Sequence, residues 1–308
     1  MKTILITGGN GFIGTNLSEK LLNEQNRVIS VDNLFSSDIR NMGHLVGYKN
    51  FSFINHDIND VLSIEEDIDE IYHLACPASP KYYQKDPIYT MKTNFIGTLN
   101  ILELARIKNC KILLTSTSEI YGEPEITPQS ENYRGNVNTI GPRSCYDEGK
   151  RIAETLMIEY HNKYNTDIRI ARVFNTYGPY MNKDDGRVIV NFINQMLENK
   201  DITVYGDGNQ TRSFCYIDDL INGLSKLMSS TYRLPMNIGN INEISINELV
   251  YKLRILLDST SAIINLDIPI DDPTNRRPDI WKAKNYLGWE PKIDIEEGLL
   301  KTIPWYKK

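Results

Sequence analysis

Two polar groups in the middle of the chain have the residue types and spacing needed for proton transfer. Tyr146 and Lys150 are four residues apart in a segment predicted to be helical, so their side chains share one face. Ser144 is placed to cap this helix, with Asp147 three residues later. A lysine ammonium beside a phenol favours the phenolate and lowers the tyrosine pKa from about 10. Such a phenol can accept the proton of a sugar alcohol, although the same spacing also occurs in helices that only pack at a surface.

The second polar group is Thr117, Ser118 and Glu119, which directly follow a short apolar run at residues 112–115. This run is predicted to be a buried strand. Open parallel sheets bind their ligands beyond the carboxyl ends of the strands. We therefore expect these three side chains to lie beside the tyrosine–lysine pair.

The first 32 residues have the order of a dinucleotide-binding unit: strand, glycine-rich turn, helix, strand, acid. Gly8 permits the tight turn, Gly11 lets the backbone approach a pyrophosphate, and Gly14 allows close packing of helix and strand. The helix N-terminus attracts the phosphates. Asp32, about 20 residues further on, suits a ribose diol and repels a 2′-phosphate, which favours NAD over NADP. A glycine-rich turn without a ligand is the alternative interpretation.

Strands alternate with helical patterns along the first half of the chain, which predicts an α/β fold with a doubly wound parallel sheet of the Rossmann type. The predicted strands are residues 4–7, 28–31, 51–54, 71–75, 112–115 and 168–173. After residue 174 the chain becomes rich in turns. We expect a Rossmann domain at 1–174, to which the chain returns around 216–239, and a smaller substrate-binding domain at 175–308.

Composition narrows the function classes. The net charge of −6 and the dispersed lysines and arginines do not favour nucleic-acid binding. Four widely spaced cysteines and four histidines predict neither disulfides nor a metal site. No apolar run approaches the roughly 18 residues that span a bilayer. We expect a cytoplasmic protein without membrane contacts.

Several segments resemble the UDP-glucuronate decarboxylases, a family of the extended short-chain dehydrogenase/reductase superfamily. The glycine turn at 8–14 and Y-x-x-x-K at 146–150 are typical of the superfamily. The more specific segments are HLACPASP at 73–80, TSTSEIYG at 115–122, SCYDEGK at 144–150, RVFNTYGP at 172–179, YGDG at 205–208 and RRPD at 276–279. The resemblance covers nearly the whole chain.

The resemblance implies that UDP-glucuronate is oxidised at C4 by NAD, loses CO₂ as a 4-keto sugar, and is reduced again to UDP-xylose. It also implies a homodimer through two helices per subunit, near residues 87–107 and 146–164. The implied catalytic residues are Thr117, Ser118, Glu119, Tyr146, Lys150 and Arg276. The implied substrate-binding residues are Tyr83, Lys92, Asn175, Arg187, Tyr205, Arg212 and Arg276. The expected NAD-binding residues are Gly8, Gly11, Phe12, Ile13, Gly14, Asp32, Asn33, Asp57, Ile58, Leu74, Ala75, Thr93, Tyr146 and Lys150.

Three alternatives remain open from the sequence. A 4-epimerase or a dehydratase can use the same scaffold, although Ser118 replaces the aspartate that a 4,6-dehydratase would be expected to carry. A decarboxylase can release the UDP-4-keto-pentose together with NADH. A catalytically idle NAD-binding regulator is the non-enzymatic alternative, but a binding module has no use for a phenol–lysine pair.

Overall fold

The structure, a computed structural model, describes residues 1–269 and 275–307. Part of the predicted turn at 271–279 therefore lies outside the described residues. The strands are β1 (Thr3–Thr7), β2 (Arg27–Asp32), β3 (Phe51–Asn55), β4 (Glu70–His73), β5 (Lys111–Thr117), β6 (Ile168–Val173), β7 (Thr176–Tyr177), β8 (Ile202–Tyr205), β9 (Thr211–Ser213), β10 (Cys215–Tyr216), β11 (Pro235–Ile238), β12 (Glu243–Ser245) and β13 (Ile263–Leu266).

The helices surround these strands and connect them. They are α1 (Phe12–Asn23), α2 (Pro80–Tyr83), α3 (Pro87–Lys92), α4 (Thr98–Lys108), α5 (Ser144–Tyr164), α6 (Val188–Leu197), α7 (Ile217–Ser229), α8 (Ile246–Leu257), α9 (Trp281–Leu287) and α10 (Ile295–Tyr306). Short 3₁₀ turns cover Ile39–Met42 and Ser118–Tyr121, and a π turn covers Thr93–Gly97.

The central sheet has seven parallel strands in the order β11-β6-β5-β4-β1-β2-β3. The order reverses between β1 and β4, which is where a doubly wound sheet opens a crevice for a ligand. The prediction of a Rossmann-type sheet is confirmed. Strand β11, from the second half of the chain, pairs with β6 at the edge of this sheet. The remaining strands form three two-stranded sheets outside it.

Alternating side chains of the strands bury two hydrophobic clusters, one on each face of the sheet. Along β1, Ile4 and Ile6 pack into one cluster with residues of α1, α6 and α7. Leu5 points to the opposite face and packs with residues of α4 and α5. This two-sided burial fixes the register of the strands, so the polar residues that follow each strand meet at one edge.

The structure changes three local predictions. Strand β4 ends at His73 rather than at residue 75. The predicted helix at 87–107 is interrupted by the π turn between α3 and α4. Helix α5 begins at Ser144, as expected, but that serine does not cap it: its hydroxyl donates to the carbonyl of Asn138 at 2.5 Å. The side chain of the preceding residue, Arg143, does not cap the helix either.

Two further observations concern the predicted setting of the protein. Among the described residues, no helix combines the length and the apolar character required to cross a membrane. All four cysteines are free thiols.

Candidate active site

The turn between β1 and α1 forms one wall of a crevice at the point where the strand order reverses. The backbone of Gly8 has φ +69°, and a Cβ there would lie 2.8 Å from the Ala75 nitrogen. A Cβ at Gly14 would lie 2.3 Å from the Gly8 carbonyl oxygen. Both positions therefore require glycine, for the reasons of conformation and close packing that the sequence suggested.

Gly11, which lines the same crevice, is less crowded than Gly8 and Gly14. A Cβ at this position would meet only the Gly8 carbonyl oxygen, at 3.2 Å. Helix α1 begins at Phe12, and no side chain caps its N-terminus. Free N–H groups at a helix start, beside backbone without side chains, form a cradle for a phosphate. The turn therefore fits the pyrophosphate of a dinucleotide.

Asp32, at the end of β2, lines the same crevice. Its carboxylate accepts hydrogen bonds from Leu34 N at 2.8 Å, Ser37 Oγ at 2.9 Å and Asn10 N at 3.1 Å. Burial raises the pKa of Asp32, and these hydrogen bonds act in the opposite direction. The carboxylate is thus held in one orientation at the place expected for a ribose diol.

The structure places most of the other expected cofactor residues around this crevice. Those that line it are Phe12, Ile13, Asn33, Ile58, Leu74, Ala75 and Thr93. Asp57 is not among the lining residues. Its carboxylate accepts hydrogen bonds from Asn33 Nδ2 at 3.0 Å and the Tyr89 hydroxyl at 2.7 Å, so it contacts the crevice through these two side chains.

A larger cavity of ≈530 Å³ adjoins the crevice and contains the predicted proton-transfer residues. Six residues line both spaces and form a shared wall between them: Phe12, Ile13, Leu74, Cys76, Ala78 and Arg187. The catalytic candidates that line the cavity are Thr117, Ser118, Glu119, Tyr146 and Lys150. Strand β5 and helix α5 therefore bring the two polar groups together, as the sequence predicted.

Tyr146 lies in this cavity with its ring stacked on that of Tyr83, at 5.1 Å between centroids. Burial raises the pKa of Tyr146, and a hydrogen bond with Thr117 only partly opposes this effect. The predicted lowering of this pKa by Lys150 is therefore wrong. The Lys150 ammonium is 6.0 Å from the tyrosine ring and donates to the Thr115 carbonyl at 3.0 Å. At that distance it does not offset the cost of burying a phenolate.

Glu119 is held by cations on two sides. Its Oε2 accepts from Arg143 Nη2 at 2.7 Å and from Arg276 Nη2 at 3.2 Å, and the Ser118 hydroxyl donates to its Oε1 at 3.2 Å. Burial raises the pKa of Glu119, but the two arginines outweigh burial and lower it to about 2. The side chain is therefore a carboxylate throughout the physiological pH range.

The predicted substrate-binding residues divide into three groups. Tyr83, Asn175, Arg187, Tyr205 and Arg212 line the cavity. Arg276 is buried behind Glu119 and reaches the cavity through that carboxylate. Lys92, the last residue of α3, is exposed and lines neither space, so the structure does not bring it into the site.

Two residues of the site were missed in the sequence. Arg143 lines the cavity and bonds Glu119, and its only signal was a position three residues before Tyr146. Asp147 is buried, and its pKa is raised to about 7 by burial and by the charge of Glu119. The sequence pointed to Asp147 only as the residue three positions after Ser144 in the predicted helix cap.

The fold and the site define this protein as an extended short-chain dehydrogenase/reductase. Its sequence matches the family model of GDP-mannose 4,6 dehydratase over residues 5–302. It is 52% identical over 307 residues to UDP-glucuronic acid decarboxylase 1 of Xenopus tropicalis, covering 100% of this chain and 72% of that protein. The chain belongs to the UDP-glucuronic acid decarboxylase family.

A second decarboxylase agrees with this assignment, and a solved epimerase structure shares the fold. The chain is 54% identical over 297 residues to UDP-glucuronic acid decarboxylase 5 of Arabidopsis thaliana, covering 96% of this chain and 86% of that protein. The solved structure of UDP-glucuronic acid 4-epimerase from Bacillus cereus, in complex with UDP-glucuronic acid and NAD, is similar with a TM-score of 0.89. That structure shares 30% identity and covers 99% of both chains.

Proposed function

We propose that this protein is an NAD-dependent decarboxylase that converts UDP-glucuronate to UDP-xylose through a 4-keto intermediate. The observation that carries this proposal is the position of Glu119, held as a carboxylate by two arginines in the same cavity as Tyr146 and Lys150. Names of the curated relatives support the same substrate and reaction.

Tyr146 is the group that exchanges a proton with the C4 hydroxyl. NAD, when bound in the crevice, supplies the hydride acceptor for C4 and the donor that reduces the C4 ketone at the end of the cycle. Gly11 and the start of α1 would hold its pyrophosphate, and Asp32 its ribose. Because burial raises the pKa of Tyr146, its ionisation requires stabilisation nearby, and the Thr117 hydrogen bond and the Arg187 charge act in that direction.

Loss of CO₂ follows from the 4-keto sugar, in which the C6 carboxylate is β to the C4 carbonyl. The C5–C6 bond breaks, its electrons pass to the C4 oxygen, and the enolate that forms takes up one proton at C5, ultimately from solvent, to restore the ketone. The protonated Tyr146 hydroxyl can donate to that oxygen, and its raised pKa keeps it protonated for this step. In this proposal Glu119 and Ser118 face the departing carboxylate, and Arg143 and Arg276, which bond Glu119, balance the negative charge.

We also propose that the protein acts in the cytoplasm as a homodimer. Free thiols at all four cysteines suit a reducing compartment. We treat as one apolar patch the exposed residues Ile88, Met91 and Phe95 of the α3–α4 region and Ile152 of α5, a helix that contacts this region. Residues three and four apart on a helix lie on one face, so this patch can bury itself against a second copy.

The direct test is to incubate the protein with UDP-glucuronate and NAD and to follow the sugar products by NMR. We expect one CO₂ and one UDP-xylose per substrate, with no net accumulation of NADH. Tyr146→Phe provides the inactive control, because it loses the proton-exchanging hydroxyl but retains the NAD crevice.

Other products would identify the alternatives. UDP-4-keto-pentose that accumulates with NADH indicates a decarboxylase that releases its intermediate. UDP-galacturonate without CO₂ indicates an epimerase, and a 4-keto-6-deoxy product from a neutral UDP-hexose indicates a dehydratase. NAD binding without turnover of any of these sugars contradicts the enzymatic proposal altogether.

A further inference from the structure

A chain of buried hydrogen bonds joins the turn that carries Glu119 to the segment that carries Arg276. Tyr121 is the last residue of the same 3₁₀ turn as Glu119, and its side chain is fully buried. The Tyr121 hydroxyl donates to Asn237 Oδ1 at 2.8 Å and accepts from Arg172 Nη1 at 3.0 Å. One phenol thus connects the turn after β5 to strands β6 and β11.

Asn237 passes this connection on to the segment that contains Arg276. Besides accepting from the tyrosine hydroxyl, its Nδ2 donates to the carbonyl oxygens of Gln129 and Asp279, both at 2.9 Å. The backbone nitrogen of Gln129 donates to the Arg277 carbonyl at 2.8 Å, and that of Asp279 donates to the Gln129 carbonyl at 2.8 Å. The described part of the segment is therefore fixed immediately after Arg276.

Arg276 completes this ring of hydrogen bonds, because its guanidinium bonds the turn that carries Glu119. Its Nη1 donates to the carbonyl of Gly122 at 3.0 Å, and its Nη2 donates to Glu119 Oε2 at 3.2 Å. Gly122 directly follows Tyr121. Hydrogen bonds thus hold the Glu119 carboxylate, the Tyr121 hydroxyl and the carbonyl of Gly122, directly after the turn. All three connect the turn to the segment that contains Arg276.

Arg172 anchors the ring to the sheet. Its guanidinium forms a two-pronged ion pair with Glu154, at 3.0 and 2.8 Å, and the Ser116 hydroxyl donates to the same carboxylate at 2.5 Å. Buried ion pairs of this geometry fix the orientation of both partners. The position of the Tyr121 hydroxyl is therefore set by β5, β6 and α5 rather than by solvent-exposed loops.

We propose that Tyr121 and Asn237 are positioning residues for decarboxylation, which set the separation between the Glu119 carboxylate and the Arg276 guanidinium. This inference rests on the proposed function. Neither residue lines the cavity, so both act through the charged pair. A displacement of about 1 Å in a catalytic group can cost roughly a hundredfold in rate, which makes such a tether matter.

The test compares Tyr121→Phe with Tyr133→Phe. The first removes only the hydroxyl that joins the two elements. The second removes the hydroxyl of a neighbouring ring, 6.0 Å from Tyr121, whose oxygen accepts from the backbone of Glu125 and lies outside the hydrogen-bonded ring. For each variant, we would measure kcat and KM for CO₂ release from UDP-glucuronate, and the rate at which added UDP-4-keto-xylose is reduced by NADH.

For Tyr121→Phe, we expect kcat for CO₂ release to fall about tenfold or more. The KM for UDP-glucuronate and the rate of keto-sugar reduction should stay within about twofold, because Tyr146 and Lys150 are untouched. Tyr133→Phe should resemble the wild type in all three. An unchanged kcat, or an equal fall in both reactions, would overturn the proposal, since a general structural defect lowers both.

Asn237→Asp supplies a second variant of nearly the same size. It keeps an acceptor for the Tyr121 hydroxyl but loses both donors to the Gln129 and Asp279 carbonyls, so we expect a larger selective loss of CO₂ release. If this variant does not fold, Tyr121→Phe alone decides the matter. A wild-type protein that reduces the keto sugar but forms no CO₂ refutes the proposed function, and with it this inference, in the same assay.

Discussion

Glu119 and Asp147 are neighbouring, largely buried carboxyl groups whose pKa values shift in opposite directions. Arginines on either side of Glu119 keep it ionised, with a pKa of about 2, in spite of its burial. Asp147 is also buried, but its pKa is not lowered: burial and the Glu119 charge raise it to about 7. Its Oδ1 makes no hydrogen bond in the described part of the chain. The position of the arginines therefore decides which of the two carboxyls carries the charge.

The first prediction concerns the stability cost of Asp147. In the unfolded chain this carboxyl ionises near pH 4, whereas in the folded protein it ionises at about 7. Protonated Asp147 therefore favours the folded protein fully below pH 4. This contribution to the unfolding free energy is lost as the pH rises through about 7. We therefore expect the difference in unfolding free energy between Asp147→Asn and the wild type to increase, in favour of the variant, by on the order of 2 kcal/mol from pH 5 to pH 8.

Urea unfolding of both proteins at the two pH values measures this difference directly. Glu148→Gln is the matched control, because the neighbouring side chain is only partly buried. Parallel pH dependence of the wild type and Asp147→Asn would mean that Asp147 is ionised in the folded protein at pH 5, which would contradict the raised pKa.

At the scale of elements, the β1–α1 turn contains two glycines that are required for different reasons. Position 14 is required by packing, because an added Cβ would lie 2.3 Å from the Gly8 carbonyl oxygen. Position 11 has an extended backbone that any residue can adopt, and an added Cβ would meet only the Gly8 carbonyl oxygen, at 3.2 Å. Its requirement for glycine therefore comes from the ligand and not from the fold.

We accordingly predict opposite phenotypes for two alanine substitutions. Gly11→Ala should keep the melting temperature within about 2 °C but weaken NAD binding at least tenfold, because its Cβ enters the phosphate cradle. Gly14→Ala should lower the unfolding free energy by about 1–3 kcal/mol through steric overlap. Calorimetric unfolding and NAD titration of the same samples measure both effects. Unaltered NAD affinity in Gly11→Ala would show that the pyrophosphate does not approach this backbone.

The alternation of strands and helices, and the glycine turn, could be predicted from sequence because each is encoded locally. Ser144 shows the limit of such local rules, since its hydroxyl bonds Asn138 instead of capping α5. The direction of the Tyr146 pKa was predicted wrongly because burial depends on distant elements that the Y-x-x-x-K spacing does not reveal. Arg143 was missed for the same reason: its partner Glu119 is 24 residues away in sequence.

At the scale of the whole molecule, the apolar patch of Ile88, Met91, Phe95 and Ile152 provides the surface for the proposed dimer. Phe95 is 43% exposed and lies in the π turn between α3 and α4. Phe95→Asp should convert the dimer to a monomer, because a charge would be buried at the interface without a partner. Light scattering after size-exclusion chromatography measures the mass.

Val61→Asp is the control for this substitution, since Val61 is 82% exposed and outside the patch. We expect this variant to keep the mass of the wild type. A wild-type monomer, or a Phe95→Asp protein that remains dimeric, would contradict the assignment of the patch.

The wall shared by the crevice and the cavity has a thermodynamic consequence. Phe12, Ile13 and Arg187 are among the residues that border both spaces, so the free energy of filling one depends on what occupies the other. This dependence is reciprocal. If the bound nucleotide sugar changes the affinity for the oxidised or reduced dinucleotide by some factor, the bound dinucleotide changes the affinity for the sugar by the same factor. The redox state of the bound coenzyme would thereby change the affinity of the protein for the keto sugar.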